Sequence, residues 1–451
     1  MAKLDLLNGP IYKQILKFFF PIMLGSFFQQ LYNTVDAIVV GNYIGKEALG
    51  AVGGTSGILI NLLINFTVGV AGGATVIIAQ SYGARDREGV KNGVRSGIFL
   101  GVALGFVLMI IGVCLAPTLL KLLNEPDSVF VYSSVYIRIY LLGLVPVMVY
   151  NVGSGILRAV GDSKRPLYFL IVSCFVNIGL DLLLVAKFNL GVIGVAIATI
   201  LSQCIACLLV LHVLGNKNAV YHFELKDFGF EADVLKRIVI IGLPIGLQSV
   251  MYSISNLFIQ SQVNIYGADT VAAFTAFGKI DALFWMISGA FGSSLITMAG
   301  QCFGANKLDR MKKAVWVTTF MYLIAAIGIG SICYFEGEYL YRLFTKDENV
   351  ILIGMGMIRL LAPLWCTFTL IEVFSSVVRA CGDSLKPMII TALGICVVRI
   401  LWIIFYPSKT VYETLYCYPI TWILTSTIFL IYYLRGNWLK ICLEKRKTVI
   451  Q

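Results

Sequence analysis

Long apolar runs recur along the whole chain and are separated by short polar stretches. A helix needs about 20 such residues to cross the hydrocarbon core of a bilayer, and the runs reach that length. The pattern predicts twelve membrane-spanning helices, six on each side of a polar connection. The predicted spans are 14–40, 51–80, 93–120, 130–157, 167–187, 191–214, 237–264, 272–300, 314–336, 352–379, 388–407 and 410–435. We therefore expect an all-α polytopic membrane protein.

The two halves of the chain carry the same motifs at one constant spacing. Residues 79–84 (AQSYGA) return as 300–305 (GQCFGA), and residues 158–166 (RAVGDSKRP) return as 379–387 (RACGDSLKP), both 221 positions later. Six spans bring the chain back to the side on which it started, so the halves form a parallel internal repeat of two six-helix bundles. We expect the second motif to end a helix and form a local ion pair, rather than to bind substrate.

Lysine and arginine are concentrated in the loops on one side of the predicted bundles. The loops on the other side hold only Lys46, Lys121, Lys187, Arg342, Lys346 and Lys409. Because positive loops face the cytoplasm, both termini are expected to be cytoplasmic, including the basic end that contains Lys447. The expected division is an N-lobe (1–214), a cytoplasmic linker (215–237), a C-lobe (238–435) and a basic cytoplasmic tail (436–451).

Composition agrees with a membrane protein and excludes several functions. Hydrophobic residues make up 59% of the chain and charged residues 13%, roughly half the charged share of soluble domains. The net charge of +11 is explained by cytoplasmic loops that face anionic lipid, so no nucleic-acid partner is expected. The 11 cysteines, Cys204 and Cys207 included, lie mostly in apolar spans and are predicted to be small core residues. No convergent catalytic groups are visible, so neither an enzyme nor a cofactor is expected.

Acidic and amide side chains interrupt the apolar spans of the first half. Asn177 and Asp181 are four residues apart, so a helix presents them on one face. Asp36 lies several residues inside the first span. A carboxylate at such a depth costs a few kcal/mol and usually marks an ion or proton pathway. Thr199 in the sixth span adds a hydroxyl group, although such a group commonly bonds to its own helix.

Further polar residues within the spans are candidates for a substrate cavity. They are Gln29, Tyr32, Asn33, Asn151, Glu372 and Arg399. The second half lacks the acidic pattern of the first, since the positions that correspond to Asn177 and Asp181 are Val398 and Trp402. From their depth alone, Glu372 and Arg399 are expected to form a buried pair. The repeat is therefore structural, whereas the cation chemistry is predicted to be confined to the first half.

Taken together, the motifs resemble those of the MATE family of multidrug and toxic compound extrusion transporters, over essentially the full chain. The resemblance is carried by Pro21 with Asp36 fifteen residues later, Gln80-x-x-Gly83-Ala84, the motif that begins at Arg158, Asn177-x-x-x-Asp181 and Thr199. It implies two six-helix bundles around a central cleft that opens alternately to each side. Pro21 matches the proline near which the first helix bends in the family, although a proline there could also simply begin a helix.

The resemblance also implies the chemistry. Asp36, Asn177, Asp181 and Thr199 match the N-lobe residues that bind Na⁺ or a proton in one bacterial and archaeal branch. Two carboxylates, an amide and a hydroxyl form a hard-oxygen site, suited to Na⁺ or protons rather than to soft metals. The expected function is the export of amphipathic organic cations in exchange for Na⁺ or H⁺, by a monomer surrounded by lipid in the inner membrane. The alternative is a flippase for a lipid-linked oligosaccharide or cell-wall precursor.

Overall fold

The computed structural model describes residues 5–123 and 125–450, except for the side chains of residues 46, 47, 225 and 447–450. Lys46 and Lys447, which entered the prediction of orientation, therefore lie outside the described side chains. The same holds for Met1–Leu4 of the expected N-lobe and for Gln451 of the expected tail.

Within the described residues, helices account for nearly all of the chain. Those long and apolar enough to span a membrane are α1 (Ile11–Tyr43), α2 (Ala48–Gly83), α3 (Arg87–Leu122), α4 (Asp127–Leu142 and Leu144–Ala159), α5 (Lys164–Lys187), α6 (Gly191–Leu214), α7 (Ala232–Asn264), α8 (Ala268–Gly304), α9 (Leu308–Arg342), α10 (Glu348–Ala380), α11 (Leu385–Phe405) and α12 (Val411–Arg435). This confirms the prediction of twelve spans, with α4 counted as one span that bends by 49°. A further helix, α13 (Asn437–Ile450), follows where the sequence predicted only a basic tail.

Three spans contain a π-helical or 3₁₀-helical segment, and the apolar pattern did not predict this. The last six residues of α5, Leu182–Lys187, form a π-helix, and so do Ala392–Val397 in the middle of α11. In α10 the segment Ala362–Phe368 is a 3₁₀-helix, and its second residue, Pro363, lacks the N–H of a regular turn. Such departures often occur at functional positions of membrane and soluble helices.

The described chain packs as two compact units, and their division falls inside helices. The first unit contains Phe20–Gly246, and the second contains residues 5–19 and 247–450. The N-lobe and C-lobe expected from the sequence instead met at the polar linker. The difference has a packing cause: the Phe19 ring lies 4.3 Å from the Phe291 ring within the second unit. Within the first, Gly242 of α7 packs so closely on Val70 that a β-carbon would collide with its carbonyl oxygen.

The repeated motif at the ends of α4 and α10 has the same local geometry in both units. Gly161 and Gly382 adopt φ angles of 88° and 97°, a region that disfavours side chains. Asp162 accepts a hydrogen bond from the Arg165 backbone N–H and pairs with its guanidinium at 3.4 Å. The corresponding Asp–Lys pair of the second unit spans 3.6 Å. The motif thus ends one span and begins the next, as its sequence predicted.

Candidate functional site

Helices α1, α5 and α6 bring four polar side chains together inside the first unit. Asp36 comes from α1, Asn177 and Asp181 from one face of α5, and Thr199 from α6. All four are buried, with exposures of 4%, 0%, 0% and 2%. Asp181, Asn177 and Thr199 are the polar neighbours of the Asp36 carboxyl group. The helical spacing of Asn177 and Asp181 places both on the buried face of α5, next to Asp36.

Few hydrogen bonds within the protein satisfy this cluster. The Thr199 hydroxyl lies 3.5 Å from Asp36 Oδ2 and 3.0 Å from the Val195 carbonyl oxygen, one turn earlier in α6. Four oxygen atoms have no hydrogen-bond partner: Asp36 Oδ1, Asn177 Oδ1 and both carboxylate oxygens of Asp181. Buried polar atoms are normally paired. A group of unpaired acceptors from α1 and α5, next to the Thr199 hydroxyl of α6, therefore fits a small cation or a shared proton.

The donor set also limits which ion would fit. Carboxylate, amide and hydroxyl oxygens are ligands for hard cations such as Na⁺, whereas soft metals prefer sulfur and imidazole. Within the described residues, no three His, Cys, Asp or Glu side chains gather as a metal-binding group. The cluster therefore has the composition of a site for an alkali cation or a proton and not that of a zinc or iron site.

Tyrosine side chains form part of the surroundings of Asp36. Tyr32 lies one helical turn before Asp36 on α1, and Tyr136 and Tyr140 come from α4; all three are buried and lie within the electrostatic range of Asp36. The polar pattern of the sequence indicated Tyr32 but not the two tyrosines of α4. Their spacing of four residues on one face of a span was the available signal. Their rings give the acidic cluster an aromatic border.

The polar stripe predicted along α1 divides between two environments. Tyr32 and Asp36 are buried, whereas Asn33 is exposed and Gln29 is half-buried. Gln29 and Gln203 are polar neighbours of the Tyr32 hydroxyl. The stripe thus supplies Asp36 to the cluster and Tyr32 to its border, while Asn33 lies elsewhere on the helix surface.

Two other predicted residues of the first unit lie apart from the cluster. The Asn151 amide of α4 donates to the Thr67 hydroxyl of α2 at 3.4 Å. Pro21 lies inside α1, which begins ten residues earlier at Ile11. The alternative that Pro21 begins a helix is therefore wrong.

In the second unit, the expected pair of Glu372 with Arg399 is also wrong. Arg399 donates instead to Thr421 Oγ1 and Asn256 Oδ1, both at 3.3 Å. The Glu372 carboxylate accepts from the Ser376 hydroxyl, one turn later in α10, at 3.3 Å. Depth along the spans suggested that the two charges would meet. It could not show that Arg399 has neutral partners on α7 and α12, and Glu372 one on its own helix.

Comparison with known proteins gives a consistent result. The sequence model of the MatE family matches residues 21–183 and 244–404. A Bacillus subtilis (strain 168) relative described as "Probable multidrug resistance protein YpnP" is 28% identical over 456 residues, covering 99% of this chain and 100% of the relative.

Two solved structures share the fold. One is described as the outward-facing conformation of a multidrug resistance MATE family transporter of the MOP superfamily, with a TM-score of 0.90 over 98% of this chain and 100% of that chain. The other is a MOP superfamily transporter from Pyrococcus furiosus described as having a binding pocket of reverse polarity, with a TM-score of 0.89 over the same shares. Both are 24% identical to this sequence. Since the matched family segments make up well over half of the chain, the protein belongs to the MatE family of multidrug efflux transporters and is a multi-pass membrane protein rather than an enzyme.

Proposed function

We propose that this transporter exports amphipathic organic cations in exchange for Na⁺ or H⁺, and that Asp36, Asn177, Asp181 and Thr199 bind the coupling ion. The observation that carries the proposal is the group of unpaired oxygens on α1 and α5 of the first unit, beside the Thr199 hydroxyl of α6. Two carboxylates held side by side away from water are stable when a cation or a proton lies between them. Binding of that ion would draw α1, α5 and α6 together.

Transport follows if the ion and the substrate favour different conformations. A ligand shifts a conformational equilibrium only by its difference in affinity for the two states. Because this coupling is reciprocal, an ion that favours one state lowers the affinity of a substrate that favours the other. In the proposal, Pro21 interrupts the hydrogen bonds of α1 and allows the segment that carries Asp36 to move as occupancy changes.

The acidic cluster and its tyrosine border support organic cations as substrates. Aromatic faces attract cations, and carboxylates supply the opposite charge. The residues proposed to line the substrate path remain Gln29, Tyr32, Asn33, Asn151, Glu372 and Arg399. We further propose that the protein works as a monomer in the inner membrane, with lipid as its only other partner.

The rival function, a flippase for a lipid-linked precursor, would use several basic residues to hold a pyrophosphate. Of the four basic residues that the sequence places well inside the spans, Arg399 alone is buried, and Arg138, Arg359 and Lys279 are exposed. A cluster of unpaired acceptors in the first unit also attracts cations rather than phosphate. The structure therefore favours the antiporter over the flippase.

The test is efflux from proteoliposomes with the two gradients imposed one at a time. We expect an ethidium-like dye to move uphill against an inward gradient of Na⁺ or of H⁺, whichever ion is coupled. The double variant Asp36→Asn/Asp181→Asn is the negative control, and its proteoliposomes should show only passive leakage of the dye. Dye movement that ignores both gradients would contradict the proposal, and movement of a pyrophosphate-linked lipid in its place would support the rival.

A further inference from the structure

Arg399 occupies the place in the second unit that corresponds to the acidic cluster of the first. The repeat of 221 positions relates α1, α5 and α6 to α7, α11 and α12, and Arg399 follows directly after the counterpart of Asn177. Its partners Asn256 and Thr421 come from α7 and α12. The same three helices of the repeat thus meet around a guanidinium in one unit and around two carboxylates in the other.

The positive charge of Arg399 is not neutralised by contact with a carboxylate. The residue is 2% exposed, and no described residue of the chain forms an ion pair with it within 4.0 Å. Its contacts are an amide oxygen, a hydroxyl and the Tyr418 ring, whose centroid lies 4.1 Å from the guanidinium carbon. Burying a charge with neutral partners only is costly. An anion bound next to Arg399 would therefore stabilise its buried charge.

Two buried polar groups without hydrogen-bond partners indicate where such an anion would bind. Arg399 Nη2 is buried without a hydrogen-bond partner, and so is the Tyr252 hydroxyl. Tyr252 lies on α7, one helical turn before Asn256, and within the electrostatic range of Arg399. The unpaired atoms of the acidic cluster are four acceptor oxygens and one donor, Asn177 Nδ2, whereas here they are an arginine N–H donor and a hydroxyl that can donate. One acid in electrostatic range, Asp281 on α8, forms no ion pair with Arg399 within 4.0 Å and accepts from the Trp285 ring N–H at 2.6 Å.

We propose that Arg399 and Tyr252 form a subsite for the carboxylate of a zwitterionic substrate, an amphipathic amine that also carries an acid group. Arginine suits this task because its planar fork matches a carboxylate and it stays charged when buried. Tyr418 stacks on the guanidinium and Asn256 holds one of its nitrogens, so the fork is fixed before substrate arrives. This inference rests on the proposed export of organic cations and narrows the substrates to those that also carry a carboxylate.

The experiment compares two probes that differ in one group. The first is a fluorescent aromatic amine with a carboxylate, and the second is its primary carboxamide, which is a simple cation. Both are assayed for ion-driven efflux with the full-length chain in proteoliposomes, and for equilibrium binding to the detergent-solubilised protein. The variants are Arg399→Gln, Arg399→Lys and Tyr252→Phe. Arg359→Gln, which removes an exposed arginine of α10, is the matched control.

For Arg399→Gln we expect kcat/KM for the carboxylate probe to fall on the order of 30-fold or more, since one member of a buried charge pair is lost. The carboxamide probe should change by less than about twofold, because it makes no such contact. Arg399→Lys should recover part of the loss, as it keeps the charge without the fork. Tyr252→Phe should cost the carboxylate probe about threefold to tenfold, the worth of one hydrogen bond.

Equal losses for both probes would show that Arg399 only holds helices together, and no loss for either would show that it does nothing for substrate; both outcomes overturn the inference. Replacing chloride with sulfate in the assay distinguishes a bound inorganic ion: if both probes then change together, chloride is the anion and the assignment to substrate fails. If the binding contrast is present but neither gradient drives transport, the proposed function fails and the subsite stands.

Discussion

The two units share one arrangement of helices and carry opposite charges at the corresponding place. In the first, Asp36 and Asp181 leave unpaired acceptors between α1, α5 and α6; in the second, Arg399 leaves an unpaired donor between α7, α11 and α12. The local turns outside these places are alike, down to the positive φ of Gly161 and Gly382. The repeat therefore fixes where a polar site can form, and the side chains that each half carries there decide which charge it accepts.

The difference also explains why the cation chemistry is expected in one unit only. A guanidinium at the position of the acidic cluster carries a positive charge and would repel Na⁺. The same charge makes the second unit suitable for an anion. One scaffold could then bind the coupling cation in one place and read the acid group of a substrate in the other.

The largest expected effect comes from removing a carboxylate of the first unit. We expect Asp36→Asn and Asp181→Asn each to abolish drug resistance in an efflux-deficient host, because the ion site loses the charge that attracts the cation. Resistance is measured as the minimum inhibitory concentration of an amphipathic cation, with membrane abundance followed by immunoblot. Asp269→Asn, an exposed acid at the start of α8, is the control and should keep full resistance. Full resistance in both cluster variants would remove the proposed coupling site.

A smaller effect is expected at the hydroxyl of the same cluster. Thr199→Ala should raise the KM for the coupling ion about tenfold, since it removes a neutral ligand next to Asp36. Thr199→Ser keeps the hydroxyl and should restore a KM close to that of the wild type. Ion-dependent dye efflux at a series of Na⁺ concentrations or pH values gives the KM. If serine and alanine behave alike, the hydroxyl serves only its own helix through the Val195 carbonyl.

The sequence predicted the polar residues of the first unit's site but not the tyrosines of α4 that surround it. The spacing of Asn177 and Asp181 on a helix, and the depth of Asp36 and Thr199 in their spans, selected residues that the structure brings together. Asp36 lies on α1, far in sequence from the consecutive helices α5 and α6, so only the family resemblance joined the four residues beforehand. Tyr136 was missed because a tyrosine in a span is ordinarily a packing residue.

The second unit shows that residue spacing along the chain does not predict contacts between side chains of different helices. Arg399 and Asn256 meet across 143 positions of sequence, and nothing in the apolar pattern specifies that contact. The π-helical turn just before Arg399 also shifts the face that this segment presents, so depth along the span misplaced the side chain beside Glu372. Likewise, the units divide inside α1 and α7 because packing, rather than chain polarity, determines which helix segments group together.

A modest loss of stability, equal in the two units, is expected when the glycine of the repeated motif is replaced. Gly161→Ala and Gly382→Ala should each lower stability by about 1–2 kcal/mol, since a side chain is disfavoured at positive φ. For a chain of this size that corresponds to a decrease in Tm of a few degrees or less, and it can be measured by thermal unfolding of the protein in detergent. Neither variant should alter the ion dependence of the remaining efflux. A loss of coupling in one of them alone would mean that its motif has a task beyond ending a helix.

The smallest expected effect is on ion coupling when the charge of the second unit is removed. Arg399→Ala should leave the dependence of dye efflux on the Na⁺ or H⁺ gradient within about twofold of the wild type, because none of the described partners of Arg399 belongs to the acidic cluster. The measurement uses a cationic dye without an acid group, so that the carboxylate subsite does not enter. Size exclusion in detergent establishes that the variant is folded. If efflux by a folded Arg399→Ala protein no longer responds to either gradient, residues of both units take part in ion coupling. The opposite charges of the two units would then not confine coupling to the first.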